Sequence, residues 1–349
     1  MTDATPAIAG ARLVRESGGR LPVVERVGST PALTWAAESA QRVAGLLGQD
    51  GVVVLRGFDI TSAAEFEAFG RALVAGPAVP YREAATPRHH VGGDVYSATD
   101  LDRRLEIFFH GENAHVLRFP RTLLFWCREP ALTGGATTLS DCAEFARRLP
   151  KALRDRWREV GVQYERRFGF GVGIPWEKAF GSPERADVEA YFRQNNISWE
   201  WDGPRLRVKY NRWALVPHPG SGDEIWFNNM TFYHPVTLQD AMRRLAGRIG
   251  YDRMPHAARW GDGSEVEPEV AEELVALYRQ CAIGTRWERH DVMLIDNLRL
   301  AHGRESFEGE RDVAVLMLEE MRAQDLAVPA GLWATPGPAS SEPEANTAS

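Results

Sequence analysis

The sequence predicts a mostly β fold with flanking helices, arranged as a barrel or jelly roll. Strand-like segments dominate from residue 105 onward, at 121–127, 205–210, 224–227, 291–296 and 313–319. Residue types that bind metals occur beside early and late members of this series, at His110, Glu112 and His302. Greek-key connections place strands that are remote in sequence side by side, which would bring these three residues together.

The first hundred residues predict a mixture of helix, strand and loop. Residues 33–48 carry a helical pattern, and 51–58 follow as a buried strand closed by glycine. Ser62 then begins a helix through Ala75, with Glu65 as its capping-box partner. Residues 80–100 are rich in Pro, Gly, His and Asp, which indicates a loop, and we expect it to cover the site.

The remaining segments complete a single predicted domain over residues 1–325. Helical stretches at 142–159 and 267–281 interrupt the strands. Residues 169–204 are rich in Gly, Trp and Asn and predict an insertion packed against the barrel. Residues 326–349 are rich in Pro, Ala, Ser and Glu, which predicts a disordered tail because such a segment buries too little apolar surface to order itself.

The composition argues against several classes of function. The chain has 349 residues, 44% hydrophobic and 26% charged, which suffices for a large core. Its net charge of −7 is spread over interspersed acids and bases, so we expect neither a nucleic-acid nor a membrane partner. The N-terminus lacks a secretory pattern and the three cysteines are odd in number, so we expect a cytoplasmic protein with free buried thiols.

The segment His110-Gly111-Glu112, read with His302, is the strongest functional feature. In a strand, residues i and i+2 point to the same side, so His110 and Glu112 would offer a nitrogen and an oxygen to one ion. With a second imidazole, this is the facial triad that holds Fe(II) and leaves positions open for a cosubstrate and O2. Taken alone, His-x-Glu is more often a surface pair, so the motif needs further context.

An ordered series of motifs supplies that context. The series comprises Phe109-His110-Gly111-Glu112, Phe125-Trp126-Cys127-Arg128-Glu129-Pro130, Gly134-Gly135-Ala136-Thr137-Thr138-Leu139-Ser140-Asp141, Trp226-Phe227-Asn228-Asn229, Trp260-Gly261-Asp262-Gly263-Ser264, Asp296-Asn297 to His302-Gly303-Arg304, and Phe307-Glu308-Gly309-Glu310-Arg311. Over residues 50–320 it resembles the taurine dioxygenase-like (TauD/TfdA) superfamily of Fe(II)/2-oxoglutarate-dependent oxygenases. The likeness is greatest to the clavaminate synthase-like and syringomycin-hydroxylase-like branch. It implies a double-stranded β-helix (jelly roll, cupin-like) that uses Fe(II), 2-oxoglutarate and O2.

The resemblance also implies roles for individual residues. His110, Glu112 and His302 match the metal ligands, and Arg311 matches the arginine that binds the distal carboxylate of 2-oxoglutarate. A planar guanidinium suits that role because it donates two parallel hydrogen bonds. Thr137 matches a hydroxyl that assists at the same carboxylate. Related iron halogenases have a small residue in place of the carboxylate ligand, so Glu112 favours hydroxylation or another oxidation over halogenation.

Four further residues are candidates for substrate contact. Arg88, in the predicted covering loop, suits a substrate carboxylate, although a solvated arginine is the ordinary alternative. Ser97 and Thr99 are candidate pocket residues, and His115 either borders the substrate or has a structural role.

The implied reaction is the hydroxylation of an unactivated C–H, with release of succinate and CO2. The branch suggests an amino acid, an amino-acid-derived metabolite or a carrier-tethered aminoacyl group as the substrate, within natural-product or antibiotic biosynthesis. The same cofactors also support desaturation, epoxidation or cyclisation. Two other classes stay open: a barrel that binds metal or small molecules without turnover, and a hydrolytic zinc enzyme, for which the sequence shows no motif for a general base.

Overall fold

The computed structural model describes residues 8–80, 83 and 88–333. The helices it contains are α1 Ala32–Asp50, α2 Ala63–Leu73, α3 Cys142–Arg148, α4 Lys151–Val160, α5 Trp176–Phe180, α6 Arg185–Gln194, α7 Met230–Tyr233, α8 Asp240–Ile249 and α9 Pro268–Gln280. None of these combines the length and the apolar character needed to cross a membrane.

The strands run from the N-terminal hairpin to the last long strand of the chain. They are β1 Ala11–Glu16, β2 Leu21–Arg26, β3 Val52–Arg56, β4 His90–Gly92, β5 Val95–Ser97, β6 Ile107–His110, β7 Arg118–Glu129, β8 Thr133–Gly134, β9 Thr137–Asp141, β10 Val162–Phe168, β11 Ser198–Asp202, β12 Arg205–Arg212, β13 Leu215–Pro217, β14 Glu224–Trp226, β15 His256–Trp260, β16 Ala282–Ile283, β17 Val292–Asp296, β18 Leu300–Arg304, β19 Phe307–Glu308 and β20 Asp312–Arg322.

Two sheets face each other and form the predicted jelly roll. The larger has the order β1-β2-β3-β17-β7-β20-β5-β4, and the smaller the order β16-β9-β18-β6. Alternate residues of β7 separate the two sides of the larger sheet. Leu123 and Phe125 point into the core between the sheets, whereas Leu124 and Trp126 belong to a second core on the opposite side. The fold is therefore a sandwich of two sheets, and not a closed barrel.

Helices α1 and α2 cover the outer face of the larger sheet. They confirm the predicted helix at 33–48 and the predicted helix that begins at Ser62. Trp35 and Phe66 supply their buried sides. The Ser62 hydroxyl accepts from the backbone N–H of Glu65, whose carboxylate accepts from the N–H of Ser62, so the predicted capping box is confirmed.

A third sheet, in the order β11-β12-β10-β15, lies in a separate large core with α4 and α9. The predicted insertion at 169–204 contributes α5, α6 and β11 to this unit. Strand β11 pairs with β12, and the α6 residues Val188 and Phe192 are buried in the same core. The segment is thus an integral part of the third sheet, which differs from the predicted packing against a barrel.

Three other sequence-based boundaries were wrong. The predicted helix at 142–159 is two helices, because Pro150 lacks an N–H and α4 begins immediately after it. The predicted loop at 80–100 contains the β4–β5 hairpin, which pairs with β20 at the sheet edge. Residues 81, 82 and 84–87 of that loop lie outside the described residues.

The predicted disordered tail begins too early. Leu326 and Leu332 are buried in the core of the third sheet, so residues 326–333 belong to the folded unit. The rest of the predicted tail, residues 334–349, lies outside the described residues. The cysteines Cys127, Cys142 and Cys281 are free and buried, as expected, and burial raises the pKa of the Cys127 thiol to about 12.

Candidate metal centre and binding cavities

Strand pairing brings the two predicted histidine ligands together. His110 is the last residue of β6, and His302 lies at the centre of the neighbouring antiparallel strand β18, where the two residues are register partners. Their ring centroids are 4.4 Å apart. The ligand atoms of His110, Glu112 and His302 all lie within 4.8 Å of one another. The sheet therefore accounts for the meeting of residues that are far apart in sequence.

Glu112 reaches this cluster from a turn, which corrects the predicted strand geometry. Strand β6 ends at His110, and Glu112 begins a turn in which Asn113 has a left-handed φ of 55°. The carboxylate is 4% exposed, and its Oε2 lies 3.8 Å from Nε2 of His302. Side chains hold the turn: the Asn297 amide oxygen accepts from the N–H of Glu112 at 2.7 Å, and that of Asn229 accepts from Gly111 at 3.0 Å.

Both imidazoles suit metal binding. Nδ1 of His110 lies 3.0 Å from the carbonyl oxygen of Phe108, to which it donates when protonated, so that Nε2 carries the lone pair. Nδ1 of His302 is buried and has no hydrogen-bond partner within the described residues. Burial lowers the pKa of both histidines, and their neutral forms are the ones that bind metal. Two neutral imidazoles and one buried carboxylate fit Fe(II).

A half-buried cation, Arg311, shares a cavity with the cluster. The Arg311 Nε donates to the carbonyl oxygen of Gly135 at 2.7 Å, and Nη2 to the hydroxyl oxygen of Thr137 at 3.3 Å. No carboxylate among the described residues forms an ion pair with Arg311 at this position. Burial lowers its pKa to about 10, so the guanidinium is still charged at neutral pH. A half-buried guanidinium without an acidic partner is suited to an anionic ligand.

Thr137 is oriented to assist the same ligand. Its hydroxyl oxygen accepts from Nε1 of Trp287 at 3.1 Å as well as from Arg311, so its own hydrogen is available to a carboxylate. A small cavity of about 30 Å³ is lined both by these groups and by the metal-ligand residues, since Thr137, Arg311, His110 and His302 all belong to its lining. The predicted cosubstrate residues and the predicted metal ligands therefore border one space.

A second small cavity, of about 20 Å³, shares Arg88, Thr99 and His110 with the first. It is lined by Arg88, Thr99, His110, Glu112, His115 and Phe232, among others. Arg88, whose side chain is 3% exposed, donates from Nη2 to Oε2 of Glu112 at 2.7 Å. The only carboxylate among the described lining residues is Glu112 itself.

The four predicted substrate residues fall in different places. Arg88 and Thr99 line both small cavities. His115 lines the second one, but its ring nitrogens contact Asn229 and Tyr233. Ser97 lines neither: its hydroxyl accepts from the N–H of His89, and it lines an outer cavity of about 760 Å³ that reaches Arg311.

Several residues of the site had no predicted role. Asn229 and Asn297 hold the turn of Glu112, and Trp287 orients Thr137. Arg304 donates to the carbonyl oxygens of residues 101, 102 and 105 and fixes that segment beside the cavity. The motifs that contain Asn229, Asn297 and Arg304 were visible in sequence, but residue type alone does not reveal a contact to backbone.

Several known proteins are similar to this chain. The model of the family described as "Taurine catabolism dioxygenase TauD, TfdA family" matches residues 23–317. The dapdiamide synthesis protein DdaC of Enterobacter agglomerans is 30% identical over 276 residues, which cover 78% of this chain and 84% of DdaC. A clavaminate synthase-like protein of Arabidopsis thaliana is 27% identical over 288 residues, covering 77% and 81% of the two chains.

Solved structures share the fold. PvcB of Pseudomonas aeruginosa superposes with a TM-score of 0.54 at 16% identity, over 96% of this chain and 98% of PvcB. A taurine dioxygenase of Burkholderia xenovorans gives a TM-score of 0.51 at 15% identity, over 88% and 89% of the two chains. At these identities the likeness extends to the fold alone.

Proposed function

This chain belongs to the taurine catabolism dioxygenase (TauD, TfdA) family, and we propose that it hydroxylates an amino acid or an amino-acid-derived metabolite in a natural-product pathway. It is an Fe(II)/2-oxoglutarate-dependent dioxygenase. The observation that carries the proposal is the convergence of His110, Glu112 and His302 beside a cavity whose lining includes Arg311. A carrier-tethered aminoacyl group is a variant of the same substrate class.

The proposed division of labour follows from the cavities. His110, Glu112 and His302 would hold Fe(II), and Arg311 with Thr137 would hold the distal carboxylate of 2-oxoglutarate. When bound, the iron and 2-oxoglutarate reduce O2, so that one oxygen atom enters the substrate C–H and the other enters succinate as CO2 leaves. The protein's own residues then bind and orient both organic molecules, and the buried setting excludes bulk water.

The second cavity supports the substrate class. Arg88 is a buried cation in the lining of that cavity, where it pairs with Glu112, and the amide of Asn113 adds a polar group to the same lining as Phe232. Such a lining suits the carboxylate of a small polar molecule. Two names support a natural-product pathway: DdaC is a dapdiamide synthesis protein, and PvcB is described as an Fe, alpha-ketoglutarate dependent oxygenase from an isonitrile synthetic pathway.

The first test concerns the cofactors. Anaerobic addition of Fe(II) and 2-oxoglutarate to the full chain is expected to produce a weak visible charge-transfer band. Glu112→Ala should abolish it, because the variant lacks the carboxylate ligand, whereas Glu272→Ala, at an exposed position of α9, should leave it unchanged. Absence of the band in the wild type would contradict the proposal.

The second test concerns the substrate. Succinate release is measured with free amino acids, N-acylated amino acids and carrier-loaded aminoacyl groups, and the product is identified by mass. A gain of 16 mass units supports hydroxylation or epoxidation, which the position of the new oxygen by NMR distinguishes. A loss of two mass units shows desaturation or cyclisation and overturns the hydroxylase assignment. Formation of the cofactor complex without substrate-dependent turnover in any class favours the non-catalytic alternative.

A further inference from the structure

We propose that Asn297 and Asn229 are positioning residues for the carboxylate ligand, and that His115 acts through Asn229 without contacting the substrate. The inference rests on the proposed metal-binding role of Glu112. It assigns a function to three buried polar residues beside the metal-ligand cluster. It also replaces the predicted substrate role of His115.

Glu112 needs such support because it lies outside the sheet. His110 and His302 are register partners on adjacent strands, so ladder hydrogen bonds fix their backbones. Glu112 follows the end of β6, in a turn closed by bonds from Ala114 to Gly111 at 3.2 Å and from Val116 to Asn113 at 3.0 Å. Ladder bonds therefore set two of the ligands, and the third depends on what holds its turn.

Asn297 holds that turn at two points. Its side-chain oxygen accepts from the N–H of Glu112 at 2.7 Å, and its side-chain nitrogen donates to the C=O of the same residue at 2.9 Å. The nitrogen also donates to the carbonyl oxygen of Pro120 at 2.8 Å, which ties the turn to β7. Asn297 is fully buried. Both backbone polar groups of Glu112 are thus satisfied by one rigid amide.

Asn297 is itself held by its neighbours. Its N–H donates to the carbonyl oxygen of Arg121 at 2.8 Å. The preceding Asp296 accepts from the N–H groups of Leu298 and Arg299, and its other oxygen lies 2.9 Å from Nε2 of the buried His218. These contacts fix the backbone around Asn297. Its side-chain amide therefore has a set position, and the turn that carries Glu112 is bound to it.

Asn229 acts on the residue before the ligand. Its side-chain oxygen accepts from the N–H of Gly111 at 3.0 Å, which orients the amide so that its nitrogen donates to Nδ1 of His115 at 3.2 Å. His115 then carries its proton on Nε2, which donates to the hydroxyl oxygen of Tyr233 at 3.2 Å. Burial lowers the pKa of His115 well below its ordinary value, in keeping with this neutral form.

Both ring nitrogens of His115 are therefore occupied by protein groups. A substrate that bonded to either nitrogen would have to break a buried hydrogen bond, which costs free energy. The ring also lies within a cluster of aromatic side chains, with Tyr233 at 5.2 Å between centroids and Tyr164 at 6.1 Å. His115 is better suited to fixing Asn229 than to binding a variable ligand.

Asn228 provides a matched control. It is as deeply buried as its neighbours, and it makes two hydrogen bonds of similar length. These bonds go to the carbonyl oxygen of Ala214 and from the N–H of Met230, both at 2.9 Å, and neither involves residues 110–112. Replacing Asn228 removes a buried amide from the same segment but leaves the Glu112 turn untouched.

The test is Co(II) binding to the full-length protein, followed by visible absorption in the absence of 2-oxoglutarate. Groups that orient a metal ligand typically alter affinity 10- to 100-fold, so Asn297→Ala is expected to weaken Co(II) binding roughly 10- to 100-fold and to change the ligand-field spectrum. Asn229→Ala and His115→Phe should weaken binding by smaller factors. Asn228→Ala should lower the thermal midpoint while leaving the Co(II) affinity and spectrum unchanged.

The outcomes separate this inference from the proposed function. If the wild type binds no Co(II) in a Glu112-dependent manner, the proposed function fails. If the wild type binds but Asn297→Ala and Asn229→Ala retain its affinity and spectrum, the positioning role is wrong. Weakening by Asn228→Ala equal to that by Asn229→Ala would reduce the effect to general destabilisation and also overturn the inference. Should Asn297→Ala not fold, Asn229→Ala and His115→Phe decide the matter.

Discussion

The two sides of the metal-ligand cluster differ in how the chain builds them. On the cosubstrate side, Thr137 begins β9 and Arg311 immediately precedes β20, and both strands belong to the facing sheets. On the substrate side, Arg88 and Thr99 lie in irregular chain on either side of the β4–β5 hairpin, and His115 lies in a turn. Ladder hydrogen bonds therefore position the first set, whereas side-chain contacts position the second.

This difference suggests a division between fixed and adaptable parts. A residue at a strand end is fixed by many backbone bonds, so its place varies little. A residue in a loop depends on a few contacts, and loops tolerate changes that strands do not. We expect the cosubstrate side to bind one molecule rigidly and the substrate side to define which compound is oxidised. Substitutions on the two sides should then affect different binding constants.

The largest expected effect is on the cosubstrate side. Arg311→Ala removes charge-assisted hydrogen bonds in a buried setting, and we expect the Kd of 2-oxoglutarate to rise about 100-fold. Thr137→Val removes one neutral hydroxyl, so a rise of about tenfold is expected. The Kd is measured by titrating the anaerobic Fe(II) band with 2-oxoglutarate.

Arg128→Ala provides the control for this series, since its side chain is 40% exposed and is paired with Asp312. It lines the outer cavity but contacts neither Thr137 nor the metal-ligand residues in the described structure. The Kd of 2-oxoglutarate for Arg128→Ala should equal the Kd for the wild type. An unchanged Kd in Arg311→Ala would place the cosubstrate elsewhere and remove the distinction between the two sides.

The same distinction explains what sequence could predict. The ligands and Arg311 stand at recognisable positions in ordered motifs, and the strands between them follow from hydrophobic patterning. Alternation along a strand is the simplest way to pair Glu112 with His110, but β6 ends before Glu112. The helical pattern continues on both sides of Pro150 and predicts one helix, although the proline itself is a signal for the break that the structure shows.

Other features could not be predicted because they depend on tertiary contacts. Asn297 and Asn229 act on backbone groups, and any asparagine has the same donors and acceptors. The β4–β5 hairpin is held in the sheet by the pairing of β5 with β20, more than two hundred residues away, and its own turn-rich composition does not predict this. Substrate residues in irregular chain are therefore the least predictable part of the site.

An intermediate effect is expected on the substrate side. If Arg88 binds a substrate carboxylate, Arg88→Ala should raise the KM of the substrate at least tenfold. The Kd of 2-oxoglutarate for this variant should rise by much less than for Arg311→Ala, because Arg311 and Thr137 are untouched even though Arg88 also lines their cavity. Arg88→Lys retains the charge without the planar fork, so its KM for the substrate should lie between those of the wild type and Arg88→Ala.

A double-mutant cycle sharpens this prediction. The substrate is compared with its carboxamide in both wild type and Arg88→Ala. Loss of the carboxylate should weaken binding to the wild type but have little further effect in the variant. Equal losses in both proteins would show that Arg88 serves only Glu112, to which it donates in the absence of ligand. In that case Arg88 would be a group held by protein contacts alone, as the residues on the cosubstrate side are, and the distinction between the two sides would be lost.

A further expected effect concerns acid stability, which should arise in the aromatic cluster that contains His115. Tyr233, the partner of His115, stacks on His256 with centroids 4.5 Å apart. Burial is the main cause that lowers the pKa of His256 to about 3, and the positive charges of the nearby Arg166 and Arg167 contribute less. Between that value and the ordinary pKa near 6.5, the unfolded chain binds a proton that the folded chain does not, so stability falls as the pH falls through this range. Lowering the pH from about 6.5 to 5 should cost about 2 kcal/mol of unfolding free energy through this residue.

Thermal midpoints of the metal-free protein, measured from pH 7.5 to 5, should therefore fall less steeply in His256→Phe than in the wild type. His89→Gln, at an exposed histidine, should follow the wild type. Parallel slopes in all three proteins would mean that the acid sensitivity arises at groups other than His256.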